Sequence, residues 1–109
     1  MREGGARIER YVVAARLKPG EAAAAEQLLL EGPPFDPAEA GFLAHEAYLG
    51  QDRVYLVFEG EAARSKALDL ARKHMIEAAR WQAIVSGLPS RTPDVPPDAR
   101  CLYRWAPEG

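Results

Sequence analysis

Alternating and mixed apolar runs separate this chain into strands and helices with few ambiguous joints. Ile8 to Leu17, IERYVVAARL, is rich in β-branched and aromatic residues and ends at Lys18-Pro19-Gly20, a turn signal, so it predicts a first strand. Glu21 to Glu31, EAAAAEQLLLE, is built of strong helix formers and stops at Gly32-Pro33-Pro34, which predicts a first helix. Asp36-Pro37 has the residues of a cap and a first helical position, and predicts a short second piece of helix before the next strand.

Gly41 to Gly60, GFLAHEAYLGQDRVYLVFEG, predicts a hairpin with strands Leu43 to Leu49 and Arg53 to Glu59 around Gly50-Gln51-Asp52. Glu61 to Val85 contains no Gly or Pro and predicts one long helix, its inner stripe running through Ala67, Leu70, Ala71, Met75, Ala78, Trp81 and Val85. Its outer face, with Arg64, Lys66, Asp69, Arg72, Lys73 and Arg80, reads as solvated. Residues 90–98, SRTPDVPPD, read as a Pro-rich connector, and Arg100 to Trp105 as a last strand.

The order is β-α-β-β-α-β, which predicts a single α+β, ferredoxin-like domain: a four-stranded antiparallel sheet with both helices on one face. The strands carry one purely apolar face, Tyr11, Val13, Ala15 and Leu17 on the first and Val54, Leu56 and Phe58 on the third. Their opposite faces mix Arg10, Val12, Ala14 and Arg16 with Arg53, Tyr55, Val57 and Glu59. A wet face would alternate more cleanly, so this one is expected to meet a second copy of the chain or to line a pocket, and both readings are carried.

Composition narrows the function classes. At 109 residues, 48% hydrophobic and 28% charged, the chain has the size and usage of one globular domain. A net charge of −2 with interspersed signs offers no footprint for nucleic acid. No apolar run is long enough to span a membrane and no secretory h-region is present, so a cytoplasmic protein is expected. The single cysteine, Cys101, is expected to be a buried reduced thiol.

The layout together with VVAARLKPG, the hairpin, VFEG at Val57 to Gly60 and ARWQAIVSGLP resembles the dimeric α+β barrel superfamily, most closely the SchA/CurD-like proteins and more distantly the antibiotic biosynthesis monooxygenases. That resemblance implies a homodimer in which two sheets close into a barrel. It also implies cofactor-free oxygenase or cyclase-like chemistry on a phenolic or polyketide-like molecule, with a non-catalytic binding or accessory protein as the alternative. The Asn, Trp and His set of the haem-degrading branch is missing here, since the chain contains no asparagine.

Candidate chemistry follows from the mixed face. Glu46 is a possible general base if its carboxylate is unpaired, and a structural ion pair with Arg10 or Arg16 otherwise. Tyr48 and Tyr55 would orient a flat ring or pack across a subunit contact, with Arg10, Arg16 and Trp81 as further binding residues and a core position as the alternative for Trp81. His74 is the second acid-base candidate, near the inner stripe of the long helix, while His45 alternates against Glu46 and is expected in the core or at its edge. Tyr103 and Trp105 are expected at the subunit contact. Two histidines on separate elements, without a cysteine or carboxylate at ligand spacing, make no metal site, and no cofactor is expected.

Overall fold

A computed structural model describes residues 8–76 and 78–107, and the side chains of residues 75 and 76, Met75 of the predicted stripe among them, lie outside the described set. Over the described residues the chain is an α+β fold of five antiparallel strands and three α-helices: β1 (Ile8–Leu17), α1 (Ala22–Leu30), β2 (Phe42–Leu49), β3 (Arg53–Glu61), α2 (Ala63–Ala71), α3 (Ala79–Gln82), β4 (Val85–Thr92) and β5 (Arg100–Trp105). The sheet order is β4-β1-β3-β2-β5.

The hairpin forms as its sequence predicts. Gly50 N–H donates to the Arg53 carbonyl at 2.8 Å, and the register sets Tyr48 opposite Tyr55 and Glu46 opposite Val57. At its far end the pairing shifts between Phe42 and Ala44, beside Gly60. Gly60 has φ +152°, and a Cβ there would stand 3.2 Å from the Gly41 carbonyl oxygen and from Phe42 Cα. Gly60→Ala is therefore expected to cost about 1–3 kcal/mol through backbone strain, read as a lower urea midpoint with unchanged slope.

α1 stops because Gly32 takes a left-handed conformation and its N–H returns to the Leu29 carbonyl. Asp36 does cap, its Oδ1 accepting from Ala38 N–H at 2.9 Å, but residues 37–41 close as turns and no helix follows. Beneath the helices the core joins Ala15, Leu17, Leu49 and Val54 to Ala25, Leu29 and Ile84, and a second cluster joins Tyr11, Val13, Phe42 and Phe58 to Ala63 and Ala67.

Three expectations are corrected. The sheet has five strands rather than four. The predicted helix from Glu61 to Val85 is interrupted: α2 passes into a π-helical turn at Arg72–Ile76, Ala78 is extended, and only α3 is helical beyond it. No Gly or Pro marks that break. Third, Ser86 to Thr92 belong to β4 and not to a loop or connector. β4 escapes sequence reading because it bulges: Ser90 pairs with Ala14 and Ser86 with Arg16, so Gly87, Leu88 and Pro89 together oppose Ala15.

The connector proper, residues 93–99, must pass from one edge of the sheet to the other. Four strand-to-strand steps of roughly 4.8 Å each leave it little slack. It crosses the face away from the helices, where Asp94 binds Arg10 at 3.0 Å and Pro96 lies beside Ala14 and Tyr55. On that face Val12 is 2% exposed, Val57 is fully buried, and Tyr55 is buried with them. Val12, Val57 and Tyr55 are thus buried within a single chain, with Pro96 of this strap beside Tyr55.

Candidate functional site

The sequence candidates separate onto the two sides of the sheet. On the strap side, Glu46 accepts from Tyr48 Oη at 2.7 Å and from Arg104 Nε at 3.1 Å, while Arg104 Nη2 also donates to Tyr48 Oη at 3.2 Å. Both Glu46 oxygens are engaged, and the hydrogen bond to Glu46 raises the Tyr48 pKa. The expected ion pair exists, but its arginine comes from β5 rather than from Arg10 or Arg16. Arg10 is held instead by Glu59 and Asp94, each at 3.0 Å. Tyr55 is buried beside Pro96 of the strap, and Arg16 lines the same cleft, away from Glu46 and Tyr48.

On the helix side the interruption of the long helix opens a cavity of about 270 Å³ between α1, α2, α3 and the sheet. Its walls are mainly apolar, with Leu56 and Phe58 from β3, Leu28 and Leu29 from α1, and Leu70 and Ala71 from α2. Trp81 and His74 line it from the two sides of the break, so these two candidates do come together. At the mouth, Arg80 forms a bidentate pair with Glu31, 3.1 and 2.6 Å, joining α3 to the end of α1. Arg80, expected on the solvated face, is one of the residues lining the entrance.

The polar centre of this cavity is His45, which is 1% exposed. A carbonyl can only accept, so the 2.9 Å contact with the Val57 oxygen places the imidazole proton on Nδ1. Nε2 then carries the lone pair, and Tyr103 Oη donates to it at 2.7 Å. Burial pushes the His45 pKa down to about 4, against the raising effects of the Val57 carbonyl and the Glu46 charge. Burial also pushes the Tyr103 hydroxyl well above its usual range. The dyad is neutral at pH 7.

An aromatic shell holds the dyad in place. His45 packs at 4.6 Å from Phe58 and 5.1 Å from Phe35, centroid to centroid, and Phe35 stacks in turn on His74 at 6.2 Å and 26°. Phe35 sits on the loop after Gly32-Pro33-Pro34, so the turn chemistry that ends α1 delivers a ring between the two histidines. Tyr103 faces this cavity and Trp105 the second core cluster, where a subunit contact was expected. Cys101 is exposed rather than buried, its Sγ donating to the Tyr103 carbonyl at 3.3 Å.

Among the described residues no group of three or more His, Cys, Asp or Glu side chains is placed to hold a metal ion, and no helix is long and apolar enough to cross a membrane. Compared with protein-family models, curated proteins and solved structures, the chain matches none. The reading of the site therefore rests on its own geometry.

That geometry fits a hydrogen-bond acceptor at the bottom of an apolar slot. Because the Tyr103 proton is committed to His45, the Tyr103 oxygen has lone-pair capacity for a ligand O–H or N–H. Apolar walls with one placed polar group are the usual composition of small-molecule sites. The importance of Tyr103 could have been read from its parity with Trp105 along β5, but only if the pairing of β5 with β2 had been known.

Proposed function

We propose that the protein binds a flat, hydroxyl-bearing aromatic or polyketide-like molecule in the cavity between the helices and the sheet. The observation that carries this is the Tyr103–His45–Val57 chain of hydrogen bonds, which ends in a neutral acceptor within apolar walls. A ligand hydroxyl would donate to Tyr103 Oη, while Leu56, Phe58 and Trp81 would cover the ring. A neutral dyad recognises the protonated hydroxyl. It does not favour phenolate, since His45 is a weak base and Glu46 is tied to Arg104 on the opposite face.

A binding or accessory role is thus better supported than base catalysis. One observation favours the oxygenase or cyclase-like alternative: half-buried His74 lines the cavity and has only a ring contact with Phe35 among its described interactions. It would be the group that takes a proton from a bound phenol. The run β4-β1-β3-β2, with helices on one side, supports the resemblance to the dimeric α+β barrel proteins; β4 takes the place expected of the last strand, and β5, the strand that the sequence predicts, adds outside β2.

Thermal unfolding with 2-naphthol, and with naphthalene as the hydroxyl-free control, tests the proposal. The expected result is a concentration-dependent rise in melting temperature with 2-naphthol and a smaller one with naphthalene. Tyr103→Phe is expected to weaken 2-naphthol binding about tenfold, the worth of one hydrogen bond in a dry site, and to leave naphthalene unchanged. Equal responses to both compounds, or none, would refute the site. Oxygen consumption with a polyphenol that disappears in His74→Ala would move the assignment to the enzyme.

A further inference from the structure

The strap side of the sheet holds a second cleft, of about 570 Å³, between the β4 bulge and Pro96 of the strap. Its floor is polar where the first cavity is apolar. Arg16 and Arg53 sit directly opposite each other on β1 and β3, and Ser86, Ser90 and Thr92 line the cleft from β4. Among the described residues no Asp or Glu lines it.

Like charges placed directly across two strands repel one another. The other arginines on this face are satisfied, Arg10 by Glu59 and Asp94 and Arg104 by Glu46. Arg16 and Arg53 have no ion pair or side-chain hydrogen bond among the described residues. Arg91 also lines the cleft, with its guanidinium over the Tyr11 ring at 5.9 Å, and adds a third positive charge. On a chain of net charge −2, this local excess of positive charge has no carboxylate beside it among the described residues.

We infer that Arg16 and Arg53 bind the phosphate group of a small phosphorylated molecule. Guanidinium forks match a tetrahedral oxyanion through charge-assisted hydrogen bonds, and the hydroxyls of Ser86, Ser90 and Thr92 supply neutral donors to its remaining oxygens. The bulge is what makes room, since Gly87, with φ +81°, turns the β4 backbone away beside Arg16. The cleft is larger than a free phosphate needs, so the ligand is a phosphoester whose organic part lies along Tyr55 and Pro96.

Calorimetry on the full chain at low salt, with inorganic phosphate, phenyl phosphate and succinate, tests the assignment. Phenyl phosphate is expected to bind more tightly than inorganic phosphate, and succinate least. The Arg16→Gln/Arg53→Gln double variant is expected to lose at least about tenfold in affinity, while Arg64→Gln, on α2, retains it. Removing the repulsion should leave the ligand-free melting temperature equal or higher, so a folding defect is distinguishable from lost binding. Unchanged affinity in the double variant overturns the site. So does a native mass showing that Arg16→Glu/Arg53→Glu converts a dimer to a monomer, which would give these arginines to a subunit contact.

Discussion

Replacing His45 by alanine is expected to destabilise the protein by about 3–4 kcal/mol, because a buried ring is lost and the Val57 carbonyl is left without its donor. For a domain of this size that corresponds to a fall in melting temperature of more than about 12 °C. His45→Asn is the informative companion. It keeps an N–H for the Val57 carbonyl, should cost less, and cannot titrate.

The pH dependence of the wild type follows from the same burial. In the fold His45 takes a proton only near pH 4, whereas in the unfolded chain it does so near its ordinary value of 6.5. Above pH 6.5 both states are neutral at this site and its stabilisation is fully present. As pH falls below 6.5 the unfolded chain gains a proton that the fold refuses, and stability drops by roughly 3 kcal/mol by pH 4. Denaturant titrations at several pH values are expected to show the gap between wild type and His45→Asn shrinking as pH falls from 6.5 to 4. A gap that stays constant would mean that His45 is not held neutral. The same protonation occupies Nε2, so Tyr103 can no longer donate to it and 2-naphthol affinity is expected to fall together with stability.

The second large effect is on binding. Ala71 is the last residue of α2, is buried, and lines the cavity beside Leu70. Ala71→Phe is expected to direct a ring into the 270 Å³ space and reduce 2-naphthol affinity more than about 100-fold, with the ligand-free melting temperature within a few degrees of wild type. Overpacking of a filled core would instead cost roughly 1–3 kcal/mol, so the melting temperature reports whether the space is real. Retained binding in a stable Ala71→Phe protein would place the ligand elsewhere.

Much of this arrangement is legible in the sequence because it is local. The hairpin turn, the stop at Gly32 and the helix-facing parity of Val54, Leu56 and Phe58 depend on neighbours within a few residues, and the structure places all three as expected. The parity argument also put His45 on the helix side. What sequence reading lacks is long-range pairing. Tyr103 reaches His45 only because β5 adds to the free side of β2, and Arg104 reaches Glu46 through the same pairing. β4 reads as a connector because Gly87 and Pro89 interrupt its alternation, while the break after Ala71 has no breaker residue to mark it; beyond it Trp81 packs on the core and Arg80 pairs with Glu31. On the mixed face Val12, Tyr55 and Val57 are dry within the single chain, and Asp94 and Pro96 of the strap lie on the same side.

The bulge in β4 has one more consequence. A five-stranded sheet presents two lateral rows of unpaired amides and carbonyls that could template another chain. Here the outer row on β4 is bent by the bulge and loses a donor at Pro89, and the outer row on β5 is only six residues long and carries Arg100 and Arg104. Both rims are therefore poor templates for the addition of a further strand.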